Sequence, residues 1–200
     1  GRGVAVKVLK LPERMRVADS GSEAMLKQRV EEVIDSFVDE VEVCCDLNHP
    51  NLARLLGYAE HPKLMMVHEL LHSSVDTALY VEGWQPSLDQ VLKSAFDVAR
   101  GMDYLHTAFQ QQTGKHTQPI IHRDLKASNV LVDRNYCNPK IADFGLSRVK
   151  VAIGETMTRG VGSPFAMAPE VFTSSSYTQA VDWYAFGVLI WQIVTKQHPY

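Results

Sequence analysis

The sequence predicts an α+β fold of two lobes: a small, mostly β N-terminal lobe with one long helix, and a mainly helical C-terminal lobe. Three observations predict it. Short β-branched or apolar runs suited to strands crowd residues 4–69 around a single helical stretch. From Ser87 onward the longest patterns are helical. Between them, residues 68–74 read as a hinge, so a cleft is expected between residues 1–67 and 75–200. Two hundred residues, 46% of them hydrophobic, suffice for one domain built as two small lobes.

The elements follow in order. Val4-Ala5-Val6-Lys7-Val8-Leu9 suits a strand, and residues 12–22, with Pro12, Asp19, Ser20 and Gly21, suit a loop. Ser22 and Glu23 open a helix in which Val30, Val33, Ile34, Phe37, Val41 and Cys44 recur at helical spacing, to about Leu47. His49-Pro50 ends it, because proline disfavours helical geometry in the residue before it. Residues 52–58 and 64–69 read as strands around a turn at His61-Pro62. Ser87 caps a long amphipathic helix running from Leu88 to Leu105. Residues 110–118, rich in Gln and Thr, read as a surface insertion, and 130–132 and 140–142 as short strands around a turn.

Composition excludes several classes. A net charge of -3 argues against a nucleic-acid-binding module. Three cysteines without metal-ligand spacing argue against a disulfide framework and fit a reducing, cytoplasmic setting. The N-terminal residues lack the apolar run of a signal peptide. The most apolar stretch, 183–194, is shorter than the about 20 residues a membrane-spanning helix needs. Apolar on nearly every side, it reads as a helix buried in the core.

The chemistry concentrates in two motifs. Residues 120–132 read Ile-Ile-His-Arg-Asp-Leu-Lys-Ala-Ser-Asn-Val-Leu-Val, and Asp143-Phe144-Gly145 follows. Two carboxylates and an amide brought together could hold magnesium and accept a hydroxyl proton. With Met167-Ala168-Pro169-Glu170 downstream, the chain resembles a protein kinase domain over nearly all its length. That resemblance implies a two-lobed kinase-like fold, ATP and Mg²⁺ as cofactors, and Ser/Thr-bearing proteins as substrates. It implies that Asp124 orients the substrate hydroxyl and takes its proton, that Lys126 steadies the transferred group, and that Asn129 and Asp143 hold magnesium. The separation of Asp124 from Asp143 is one residue longer than is usual in the family, which the turn at 133–139 can absorb.

Val-Ala-Val-Lys resembles the kinase strand whose lysine meets the ATP phosphates, here Lys7, with Ala5 against the adenine. Its helical glutamate is best sought at Glu40, which shares a face with Phe37 and Cys44; Glu42 points elsewhere, and Glu31 and Glu32 lie too far upstream. Glu69 and Leu71 would offer backbone groups to adenine, His68 would stand behind it at the gatekeeper position, and Leu131 would form its floor. Asp182 resembles the acid that holds the His122-Arg123 backbone, and Cys44, Leu55, His122 and Phe144 would stack as a column between the lobes. Ser163 takes the place of a substrate-platform threonine, and Thr156 and Thr158 are the candidate phosphosites, with Arg123 as the expected phosphate partner.

Lys126 in Asp-Leu-Lys-Ala-Ser-Asn points to Ser/Thr specificity, while 48–57 and 97–106 resemble the tyrosine-kinase-like group. Ala166 stands where the family usually has a large aromatic before Met-Ala-Pro-Glu. The glycine-rich loop and the last C-lobe helices are expected outside residues 1–200, the latter with the arginine that normally pairs with Glu170. Residues 1–200 alone are therefore expected to be weakly stable and weakly active, with Glu170 more exposed or otherwise compensated. The alternative function is a pseudokinase or scaffold that binds partners without catalysis; a small-molecule kinase fits the activation segment less well. Oligomeric state is left open, and a soluble kinase and the cytoplasmic part of a membrane receptor would read alike.

Overall fold

The structure is a computed structural model that describes residues 3–9, 20–108, 119–144, 148–149, 164–173 and 178–199. The N-terminal lobe is a three-stranded antiparallel sheet crossed by one helix. Strand β1 (Val4–Val8) pairs with β3 (Met65–Glu69), which pairs on its other edge with β2 (Leu55–Ala59). Helix α1 (Ser20–Asp46) lays Phe37 and Val41 on the buried Met66 of β3, with Leu9, Leu55 and Leu64 closing the cluster. The helical spacing of α1 thus meets β3 in one small core, while Val4, Val6 and Val8 of β1 stay exposed.

The strand expected from residue 52 begins only at Leu55. The backbone of residues 51–53 is taken up elsewhere: Ala53 N–H donates to Ile141 O (2.8 Å) and Ile141 N–H donates to Asn51 O (2.9 Å). This stitches the end of the N-lobe to strand β7 (Lys140–Ile141), immediately before Asp143.

After β3, strand β4 (Ser73–Ser74) leads into helix α2 (Val75–Tyr80), capped by Ser74 Oγ accepting from Thr77 N–H at 3.1 Å. Helix α3 (Leu88–Asp103) opens on a capping box: Gln90 N–H donates to Ser87 Oγ (3.3 Å) and Ser87 N–H donates to Gln90 Oε1 (3.0 Å). It ends two residues before the expected Leu105, where a single wider turn, Tyr104–Ala108, follows. Strands β5 (Ile120–Ile121) and β8 (Arg148–Val149) pair with each other, and β6 (Val130–Val132) lies between β4 and β7. A short helical turn, Pro164–Ala166, and helix α4 (Glu170–Thr173) precede the last helix, α5 (Ala180–Thr195).

One expectation is corrected here. Helix α5 is not buried all round: Trp183, Tyr184, Trp191 and Val194 are each 39 to 56% exposed. Among the described residues its inner face, Val181, Ala185, Leu189 and Ile193, meets the core, and none packs over the opposite face closely enough to bury it. None of the described helices is long and apolar enough to cross a membrane.

Candidate active site

The buried pair Ile120 and Ile121 anchors the segment that carries Asp124, and Asp182 on α5 fixes its backbone. Asp182 accepts hydrogen bonds from His122 N–H and Arg123 N–H, each at 2.8 Å. Those bonds hold Arg123 at a φ of 67°, a left-handed conformation costly for a side chain of this size. A third contact was not foreseen. His106, in the Tyr104–Ala108 turn that follows α3, places Nε2 2.8 Å from Asp182 Oδ2, and both side chains are buried. The nitrogen facing the carboxylate carries the proton in this contact, and Nδ1 is buried with no partner among the described residues.

Asp124 is held from two sides. Lys126 Nζ lies 2.7 Å from Oδ2, and Asn129 Nδ2 donates to the Asp124 carbonyl (2.8 Å) and to Oδ2 (2.9 Å). A short helical turn, Ala127–Asn129, creates the reach for this back-bonding. Because the amide nitrogen of Asn129 faces Asp124, its oxygen is the atom it would offer a cation.

Across the cleft, Lys7 Nζ donates to both carboxylate oxygens of Glu40, at 2.8 and 2.9 Å, and to Asp143 Oδ1 at 3.0 Å. Glu40 is buried on the α1 face that carries Phe37 and Cys44, whereas Lys7 and Asp143 are 41% and 52% exposed. Burial pulls the Lys7 ammonium pKa down, but the hydrogen bond and charge of Glu40, with Asp143 behind, outweigh it and leave the pKa raised. Asp143, like Arg123, has a positive φ, 62°. Phe144 beside it is buried and meets the His122 ring edge-on at 5.3 Å, and His122 Nε2 lies 3.1 Å from Ala142 O. Cys44 and Phe144 share the core cluster, with Leu55 packed against it. Burial, then the charge of Glu40, pushes the Cys44 thiol up to about 12, which makes it an inert packing group.

At the hinge, Ala5 stands opposite His68 in the β1–β3 register. Burial, with Lys7 nearby, lowers the His68 pKa, so its imidazole is neutral at pH 7. The Glu69 amide N–H is given to Arg54 O (3.0 Å), which leaves its carbonyl rather than its N–H for a base. Its side chain accepts from Arg54 N–H (2.9 Å) and Lys140 Nζ (2.7 Å), tying hinge to C-lobe. Leu71 is half-buried beyond it, Leu131 is half-buried in β6, and Glu170 is exposed at the start of α4. Thr156, Thr158, Ser163 and Gly145 lie outside the described residues.

The donor set fits the cofactors the motifs imply. Asn129 and Asp143 supply oxygen, the ligand type magnesium prefers. Among the described residues no group of three or more His, Cys, Asp or Glu could hold a metal by itself. A few protein oxygens completed by water and phosphate are the usual setting of Mg²⁺.

A lysine clamped by a helical glutamate and paired with Asp143, together with a second aspartate, Asp124, held by its own lysine and asparagine, is the arrangement of a protein kinase domain. Residues 4–200 match the family described as protein tyrosine and serine/threonine kinase, and the chain belongs to that family. Its curated relatives include the serine/threonine-protein kinase CTR1 of Arabidopsis thaliana, 38% identical over 84% of this chain and 20% of the relative. The probable serine/threonine-protein kinase drkA of Dictyostelium discoideum is 35% identical over 100% of this chain and 28% of its own length. A protein kinase and PP2C-like domain-containing protein of Arabidopsis thaliana is 34% identical over 84% of this chain and 26% of its own. The chain thus spans 20 to 28% of the length of these relatives.

Proposed function

We propose that residues 1–200 form the catalytic core of a protein kinase that transfers the γ-phosphoryl group of ATP to Ser/Thr hydroxyls of proteins. The single observation that carries the Ser/Thr reading is Lys126 seated on Asp124 at 2.7 Å, because it puts a cation where the transferred group's charge must be met. Asp124 orients the hydroxyl and takes its proton as the oxygen bonds to phosphorus, and ADP leaves. Lys7, braced by Glu40, keeps that pair on nucleotide binding and exchanges Asp143 for phosphate oxygens. Asn129 and Asp143 would hold magnesium, whose charge would offset that of the phosphates.

Glu69 O and Leu71 at a hinge spanning 68–74 meet the adenine, with Ala5 above and Leu131 below. Thr156 or Thr158 would carry a regulatory phosphate paired by Arg123. Use of ATP, and cysteines that are all free, support a cytoplasmic setting, in a soluble protein or in a receptor's cytoplasmic part. A binding-only scaffold would have no need of Lys7, Asp124, Asn129 and Asp143 together, and no observation favours one.

The test is transfer from ATP by the intact protein to one peptide made with Ser, Thr or Tyr as acceptor, with magnesium and with EDTA. Label is expected on Ser and Thr at about tenfold or more over Tyr, and chelation should abolish it. A preference for Tyr, or transfer indifferent to EDTA, would contradict the reading.

A further inference from the structure

His49 is a titratable side chain that phosphoryl transfer does not use, placed where the end of the N-lobe meets the strand before Asp143. Its Nδ1 accepts the Asn51 N–H at 3.1 Å. Its ring stacks on Tyr104 with centroids 5.0 Å apart, and the Tyr104 hydroxyl accepts the Asn48 N–H at 3.3 Å. Residues 48–51 are thus pinned to the turn that follows α3. Asn51, set in this way, accepts the Ile141 N–H on its carbonyl (2.9 Å) and donates from Nδ2 to Pro139 O (3.2 Å). Ala53 N–H then closes on Ile141 O at 2.8 Å.

Nδ1 can accept only while the ring is neutral and carries its proton on Nε2. Protonation puts a second hydrogen on the ring, at Nδ1, where it faces the Asn51 N–H donor to donor. Asn51 is 6% exposed, so that N–H finds little water to replace the lost acceptor, and a buried donor without a partner is costly. The surroundings favour the neutral ring. Burial lowers the His49 pKa below its ordinary 6.5; Arg100 of α3 and Lys140 of β7 act the same way, and Asp103 and Asp97 of α3 oppose them without reversing the sign. A ring released from this setting binds a proton more readily, so acid favours release. The link is complete above about pH 6.5 and weakens as pH falls below it.

We propose that His49 is an acid-sensitive latch on the link between the N-lobe and the strand leading to Asp143. Neutral, it holds Asn51 in its bonds to Pro139 and Ile141; protonated, it lets them open. The latch does not depend on the kinase reading above.

The test is hydrogen exchange of the intact protein, followed by mass spectrometry over residues 48–53 and 139–143, from about pH 8 to about pH 5. Wild type is compared with His49→Asn and His49→Phe, and exchange of the His49 ring C2–H reports its protonation. Asn keeps an acceptor for the N–H two residues on and does not titrate. Phe keeps a ring for Tyr104 and offers no acceptor. Wild-type protection of both segments, corrected for the pH dependence of exchange itself, should fall about tenfold in step with His49 protonation. His49→Asn should keep its protection across the range, and His49→Phe should lack it throughout. Protection that falls equally in wild type and His49→Asn, or that stays constant in wild type while His49 protonates, overturns the latch. The wild-type series decides even if both variants fail to fold. A second readout is kcat for a Ser peptide, which should fall several-fold further in wild type than in His49→Asn toward acid. A constant ratio overturns the coupling of latch to site, and no transfer at any pH overturns the kinase reading alone.

Discussion

Asp182 touches no substrate in this account, yet three donors converge on its buried carboxylate: His122 N–H, Arg123 N–H and His106 Nε2. Asp182→Ala leaves all three without that acceptor, and each unsatisfied buried donor costs about 1–3 kcal/mol. The expected destabilisation is therefore about 3 kcal/mol or more, read as a lowered urea midpoint, with His106→Gln losing less. A midpoint within about 0.5 kcal/mol of wild type would refute this role. Residues of this kind differ in how legible they are. Lys7, Asp124, Asn129 and Asp143 stand in short motifs, and Glu40 could be chosen because it shares a helical face with Phe37 and Cys44. His106 lies 76 residues from Asp182, and no local pattern encodes that distance. It was visible only as the last residue of a stretch resembling the tyrosine-kinase-like group.

At the element scale, helix α3 holds the C-lobe to the segment that carries the end of the N-lobe. A Cβ built at Gly101 would lie 3.0 Å from Asn51 O and 3.1 Å from Ile141 Cδ1, so α3 packs on backbone at this point. In an exposed helix Gly→Ala stabilises by about 1 kcal/mol. Here the crowded backbone reverses the sign, and Gly101→Ala should destabilise by about 1–3 kcal/mol in urea unfolding; a stabilised variant would show the contact can relax. The long amphipathic α3 was legible from its cap and periodicity. Helix α2, six residues long, and the two-residue strands β4, β5 and β8 were not, because such lengths establish no period, whereas β7 was legible at 140–142 from the turn that precedes it. The exposed aromatics of α5 show the converse limit: an apolar helix states that it needs cover, not which residues provide it.

In the whole molecule, among the described residues, one large buried cluster runs from Val43 and Cys44 of α1, and Leu47 just after it, into the C-lobe. Two smaller clusters lie beside it, and specific polar links also join the lobes. Lys7 reaches Asp143, residues 51–53 share backbone hydrogen bonds with Ile141, and Glu69 pairs with Lys140 at 2.7 Å. Each link joins an N-lobe or hinge residue to a residue within three positions of Asp143, so lobe alignment and site assembly are one event. The order of strands followed by helices made two lobes legible from sequence; these cross-links depend on pairings between distant residues and were not, apart from the expected column through His122 and Phe144. The central claim is that Asp124 serves chemistry rather than nucleotide binding. It is tested most directly by measuring kcat for Ser-peptide phosphorylation and the Kd for ATP in intact wild type and Asp124→Asn. A fall in kcat of about 10²- to 10⁴-fold, with Kd for ATP unchanged within a few-fold, is the predicted result; equal kcat in the two proteins would contradict it.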